Sequence, residues 1–257
     1  MSYKKIAVFG ATGQLGREVT RVLAEEGFEV VPLSRQETTV AGIQTQKPDI
    51  SLAGIDVVVS TVGPAGLKDQ LELIKRAKAE GVKRFIPSEW GMDHRNVDAD
   101  FFKPKVEAFE AVKAADFPDG WTAAINGFFD SVVPALVKWD FSNSTAKITG
   151  KGETKYPFVL RADIGRVLAA TFRNPAEYKN RWLALANDWL SGKDIVALIE
   201  EATGKSLTVE HVEADPAKAP VIFFLEKKGG NVFDPSLQTK NLPVEFADFK
   251  AHVKSLL

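Results

Sequence analysis

The run Gly10-Ala11-Thr12-Gly13-Gln14-Leu15-Gly16 places three glycines at three-residue intervals, between an apolar stretch, Lys5–Phe9, and an amphipathic stretch that begins near Gln14. Glycine lets a backbone turn tightly and approach a bulky anion, and a helix start offers N–H groups and the positive end of its dipole. The implied chemistry is phosphate binding by backbone groups. The spacing G-x-x-G-x-x-G is not the commoner G-x-G-x-x-G, so the argument rests on placement. The motif follows a strand, opens a helix and precedes a second strand, Phe28–Leu33, the setting in which a dinucleotide pyrophosphate is held. Gly10, Thr12, Gly13, Gln14, Leu15 and Gly16 are the expected contacts.

The second strand runs out into Ser34 and Arg35. A carboxylate at this place suits a ribose 2′-hydroxyl, whereas a 2′-phosphate needs a cation. Arg35 offers a planar fork of donors and Ser34 a hydroxyl, so NADPH is the expected cofactor, with Glu37 close enough to weaken the local positive field.

Other chemistry is absent. The chain has no Cys, which removes disulfides, thiolate metal sites and cysteine nucleophiles. His94, His211 and His252 are far apart in sequence and none has a metal-ligand spacing, so no metal is expected. There is no G-x-S-x-G elbow, and Gly204-Lys205-Ser206 lacks the leading glycine of a P-loop, which makes Gly204 a helix C-cap. Typical short-chain dehydrogenases pair Tyr with a Lys four residues on, but Tyr3, Tyr156 and Tyr178 are followed there by Ala7, Leu160 and Trp182. A net charge of −1 over 257 residues gives no footprint for nucleic acid or an anionic membrane. Apolar runs too short to span a bilayer make the cytoplasm the expected location.

The elements that position these residues alternate through the first half. Asp56–Thr61 is a β-branched run suited to a strand covered on both faces, and Leu67–Glu80 a helix with Leu71, Ile74 and Ala77 on one face. Lys83–Pro87 is a fourth strand, Phe101–Ala115 a helix and Trp121–Asn126 a fifth strand. This pattern predicts an α/β chain: an NAD(P)-binding Rossmann fold with a doubly wound parallel sheet, and a smaller mixed α/β substrate lobe. The expected division is 1–127 for the dinucleotide domain and 128–257 for most of the lobe, with segments near 160–190 able to return to the first domain. In the second half, strands are expected at Thr145–Thr149, Tyr156–Leu160, Trp182–Ala186 and Leu207–Val212. Helices are expected at Ala162–Arg173, Lys193–Ala202 and Val244–Leu256, the second opened by a capping pair, Ser191 and Asp194. Asp215–Pro220 and Gly229-Gly230 read as loops, the latter a candidate substrate flap.

With the glycine turn, Lys83–Asp93 (KRFIPSEWGMD) and Phe101–Val112 (FFKPKVEAFEAV) in hand, the chain resembles the NmrA-like branch of atypical short-chain dehydrogenases, and within it the isoflavone reductase-like subgroup. That subgroup shows F-x-P-S-E-F-G-x-D, a helix with F-x-x-K and a strand leading to G-x-F; these match Phe85–Asp93, Phe102–Lys105 and Asn126–Phe129, and Asp163-Ile164-Gly165 matches a D-I-G helix start.

The resemblance implies that Lys105 is the catalytic residue and also a cofactor contact, as proton donor or electrostatic stabiliser, with Lys103 its rival on another helix face. It implies further cofactor contacts from Thr61, Val62, Gly63, Ser88 and Asn126, with Glu89 beside them at the strand end. Trp90, Met92, Phe128 and Phe129 are the implied lining of an aromatic substrate pocket. The chain is shorter than the family pattern between Arg35 and Asp56 and in its second half. The implied activity is NADPH-dependent hydride transfer to an activated C=C, quinone or carbonyl of an aromatic or apolar small molecule. Alternatives are a dinucleotide-sensing regulator without catalysis, and an isomerase or dehydratase that binds cofactor without consuming it. Monomer and homodimer are both open.

Overall fold

A computed structural model describes residues 3–95, 100–215, 217, 221–223, 225, 233, 236 and 238–257. The candidate flap Gly229-Gly230 and part of the loop Asp215–Pro220 lie outside them. The chain forms two compact units: residues 1–125, 161–183 and 239–245, and residues 126–160, 184–238 and 246–257.

In the first unit, β1 (Lys5–Phe9) lies between β2 (Glu29–Leu33) and β5 (Val57–Ser60), and β6 (Arg84–Ile86) follows β5, all parallel. A parallel bridge from Phe85 to Trp121 carries the order on to β7 (Thr122–Ile125), which pairs with β12 (Arg181–Ala184). Such an order needs a crossover helix between neighbours, and α1 (Gln14–Glu25), α2 (Leu67–Ala79) and α3 (Lys103–Ala115) supply them. α1 packs on α5 (Arg161–Arg173), and α2 on α3. All four residues of β5 are buried, as a strand covered on both faces requires. Val58, Leu33, Ile74 and Phe85 belong to one apolar cluster, and each such side chain contributes about 1.5–3 kcal/mol through its burial. On α2 the buried stripe is Leu67, Gln70, Leu73, Ile74 and Ala77. Leu71 is only half-buried, because the inward arc passes through Leu73 instead.

The short segment after Arg35 folds as a two-stranded hairpin, β3 (Thr39–Val40) with β4 (Ile43–Gln44). Its turn, Ala41-Gly42, takes positive φ at both residues (51° and 77°), the geometry that matches strand twist. Gln46 then bridges to Leu33 in parallel, so the segment closes against β2 without a helix.

Beside a short helix, α4 (Val133–Leu136), the second unit holds the strands β8 (Phe128–Phe129), β9 (Val137–Asp140), β10 (Thr145–Thr149), β11 (Tyr156–Val159), β13 (Asp188–Leu190) and β14 (Thr208–Val212). They form two three-stranded sheets, β14-β10-β9 and β13-β11-β8, each with one parallel and one antiparallel pair. Helix α6 (Gly192–Thr203) has the expected capping box between Ser191 and Asp194 and ends at Gly204 with φ 65°. The final helix, α7, covers Phe249–Ser255 rather than starting at Val244. Asp248 accepts from the Lys250 and Ala251 N–H groups and fixes the start there. The strands at 128–129, 137–140 and 188–190 have two to four residues, too few to carry a legible alternation. Among the described residues no helix is long and apolar enough to cross a membrane.

The α1–α5 contact is close because Gly165 has no side chain: a Cβ there would lie 2.7 Å from the Val22 Cβ. Gly165→Ala should therefore destabilise the protein by about 1–3 kcal/mol, read as a lower urea midpoint with an unchanged m-value.

Candidate active site

The end of β1 is gathered into a tight turn. Gly10 has φ +86°, and its carbonyl accepts from the Gly13 N–H at 2.9 Å. A Cβ on Gly16 would run into the Gly10 carbonyl oxygen and lie 2.8 Å from both the Ala11 Cα and the Thr61 Oγ1. Thr61 is itself fixed, its N–H and Oγ1 donating to the Phe9 carbonyl at 2.8 and 3.0 Å. α1 starts after Gly13 with no side-chain cap and no acidic residue in its first turn, so no carboxylate opposes the positive end of its dipole.

That turn borders a cavity of about 600 Å³. Gly10, Thr12, Gly13, Ser34, Arg35, Thr61, Val62 and Gly63 line it, which brings together eight of the expected cofactor residues. Leu15 and Gly16 are buried, and Gly16 acts by letting α1 approach the turn. Ser88 is also buried, its Oγ donating to the Val62 carbonyl at 2.7 Å and its N–H to Gln70 Oε1 at 2.8 Å, so it holds the residue that lines the cavity. Gln14 is not among the lining residues, and Asn126 lies buried in the second unit, its Nδ2 donating to the Gly127 carbonyl at 3.2 Å.

Ser34 and Arg35 stand at the end of β2. The Ser34 Oγ lies 3.1 Å from Thr12 Oγ1 and accepts from the Gln36 N–H, while Arg35 is exposed. Glu37 is paired with Lys47 at 2.9 Å, and that partner balances its charge. Sequence reasoning missed one wall. Arg76 on α2 donates to the carbonyls of Pro48 and Ile50 at 2.8 and 2.6 Å, and Pro48, Asp49 and Arg76 all line the cavity. An arginine on a helix reads in sequence as solvated, and residues 36–55 carry no periodic signal.

A second group of polar side chains collects after β6. The Trp90 indole donates to the Ser60 carbonyl at 2.8 Å and ties the segment to the end of β5. Lys105 donates from Nζ to the Trp90 carbonyl at 2.8 Å. Its stem is half-exposed but its ammonium is enclosed; desolvation lowers its proton affinity and the charge of Glu89 partly restores it. Lys103, the rival, is exposed and paired with Asp100 at 2.7 Å.

Glu89 and His94, wholly or almost wholly buried, meet at 2.9 Å between Oε2 and Nε2. Burial raises the Glu89 carboxyl to about 7, against the pull of Lys105 and Arg95 and with the push of Asp93. Burial lowers His94 to about 4, with Lys105 and Arg95 lowering it further and Asp93 opposing. Phe102 and Trp182 flank the imidazole at 6.1 and 6.0 Å between ring centroids. Asp93 is held by Arg95 at 2.7 and 2.6 Å, and the Arg95 guanidinium sits 4.4 Å from the Trp182 ring centroid. The pairing of His94 was invisible in sequence, where it is one of three scattered histidines.

The four aromatic-pocket residues divide. Trp90 is half-buried and Met92 buried in the first unit. In the second, Phe129 is half-buried, and Phe128 packs against Tyr156 and Phe158 at 5.2 and 5.8 Å, a place in that unit's core.

A parallel sheet with a glycine turn and a cavity at its strand ends defines a Rossmann-type nucleotide-binding protein. The chain belongs to the NmrA-like family, whose model matches residues 2–233. It is 30% identical over 244 residues to "Oxidoreductase aprR" of Aspergillus flavus, covering 87% of this chain and 82% of that protein. Among solved structures, AtPrR2 with NADP+ and (+)pinoresinol superposes with a TM-score of 0.80 at 22% identity, covering 100% of this chain and 99% of the other. An isoflavone reductase superposes with a TM-score of 0.79 at 21% identity, covering 100% of each chain. The fold is therefore that of the isoflavone reductase-like proteins.

The enclosed ammonium has a consequence for stability. The folded chain holds the Lys105 proton less tightly than the unfolded chain, so this group's contribution is least favourable where lysine is charged in both states and improves as pH rises toward its ordinary value of 10.5. Lys105→Met lacks this titration, so the stability difference between variant and wild type should move in favour of wild type as pH rises from about 7 toward about 10, and urea unfolding across that range checks it.

Proposed function

We propose that the protein is an NADPH-dependent reductase acting on an aromatic or apolar small molecule with an activated C=C, quinone or carbonyl group, and that Lys105 is its catalytic residue. The observation that carries the reading is the lysine itself: Nζ is enclosed and bound to the Trp90 carbonyl at 2.8 Å in a chain whose glycine turn borders a 600 Å³ cavity.

The residues present fit the cofactor. Gly10 and Gly16 let the turn, Thr61 and α1 close on one another where any Cβ would clash, and the uncapped start of α1 favours an anion. Gly10, Thr12 and Gly13 would hold the pyrophosphate, Thr61, Val62 and Gly63 would pass beside the adenine or ribose side, and Ser34 and Arg35 would hold a 2′-phosphate. Gln14 is kept as a further contact. NADPH, when bound, supplies the hydride.

Lys105 does the rest. An enclosed ammonium stabilises negative charge developing on an acceptor oxygen more strongly than a solvated one, and a lowered proton affinity suits proton donation near neutral pH. Trp90 and Met92 stand on the same segment and are the proposed contacts for an aromatic substrate. A regulator that only senses cofactor would have no use for this desolvated cation. The relatives with NADP+ and (+)pinoresinol, or named isoflavone reductase, support an aromatic substrate class.

NADPH oxidation against a panel of quinones, enones and aromatic aldehydes tests the reading. Wild type should turn over at least one class, and Lys105→Met should lose about 100-fold or more in kcat with NADPH affinity retained. Unchanged turnover in the variant would remove Lys105 from the mechanism; NADPH binding without turnover anywhere would favour the sensor.

A further inference from the structure

We propose that Glu89 and His94 form a buried positioning pair for Lys105, in which the Glu89 carboxylate, held by its 2.9 Å hydrogen bond to His94, keeps the lysine ammonium charged inside an enclosed site. The proposal rests on the reading of Lys105 given above and assigns it a partner.

Three observations converge on the pair. Its members lie on the segment that binds Lys105: Trp90, whose carbonyl accepts from Nζ, directly follows Glu89, and His94 is four residues further on. The charged groups facing Glu89 are His94, Asp93, Arg95 and Lys105, and Asp93 and Arg95 satisfy each other in a two-pronged ion pair. That leaves Lys105 as the cation for Glu89 to balance, and among the described residues Glu89 is the charge that raises the proton affinity of Lys105. Finally, Glu89 Oε1 and His94 Nδ1 are buried without hydrogen-bond partners among the described residues. A purely structural pair would be poorly built this way, since each unpaired buried atom forfeits the hydrogen bond it would make to water.

The pair behaves as one proton holder. With the carboxyl raised to about 7 and the imidazole lowered to about 4, a single proton sits on the Oε2–Nε2 line through mildly acidic conditions. Above about 7 the pair loses one proton, the neutral imidazole keeps its remaining N–H on Nε2 as donor to the Glu89 carboxylate, and that carboxylate raises the proton affinity of Lys105. Without Glu89 the buried lysine would lose its proton earlier.

The test is a 13C NMR pH titration of the full chain labelled at lysine Cε, with Lys105 assigned from Lys105→Met. Wild type should show a small inflection of the Lys105 signal near Glu89 ionisation, then its own titration at higher pH. Glu89→Gln should abolish the first and lower the proton affinity of Lys105 about tenfold or more; the alkaline limb of kcat/KM should move with it. His94→Leu, which keeps the carboxyl but removes its partner, should move the first inflection to higher pH, and it decides the matter if Glu89→Gln does not fold. An unmoved Lys105 titration in the folded variants would overturn the pair's role. The NMR readout does not need turnover, so failure of the reductase reading and failure of this one are distinguishable.

Discussion

The feature on which the rest of the candidate site depends is the close approach of α1 to the turn after β1. Gly16 stands where a Cβ would strike the Gly10 carbonyl, and Thr61 presses from the other side, locked to Phe9 by two hydrogen bonds. Nothing but hydrogen fits at Gly16, and so the helix can start directly over the strand ends. That placement aims its positive end at the cavity and lets the ends of β1, β2 and β5 furnish the walls. The side-chain contacts follow from it: Ser34 reaches Thr12 across the turn, and Ser88 fastens Val62 from β6.

The second organising constraint is electrostatic. Five ionisable side chains, Glu89, Asp93, His94, Arg95 and Lys105, occupy a segment flanked by Phe102 and Trp182. Isolated charges there would be costly, so each has an answer. Asp93 neutralises Arg95, His94 stays uncharged, and Glu89 and Lys105 hold each other's charge in check. Such an arrangement contributes little to folding and is the pattern expected where proton affinity is tuned for chemistry.

The dinucleotide half was largely legible because its signals are local. A glycine turn, a β-branched strand at Val57–Ser60 and a helix with a 3.6-residue apolar stripe each declare themselves within a dozen residues. The fold could be read from them, and so could most of the cavity lining up to Gly63. The hairpin at 39–44 could not, because two-residue strands show no alternation, and neither could the other very short strands or the wall held by Arg76, whose partners lie well apart in the chain. The same limit applies to His94. Its partner is only five residues away, but its burial comes from Phe102 and Trp182, the latter 88 positions on, and no sequence window contains that environment.

The most direct measurement is calorimetric titration of the protein with NADPH and with NADH, repeated on Arg35→Ala. The account requires one site per chain, with NADPH bound at least about tenfold more tightly than NADH and most of that difference lost in the variant. Equal affinity for the two nucleotides in wild type, or no binding of either, would contradict it.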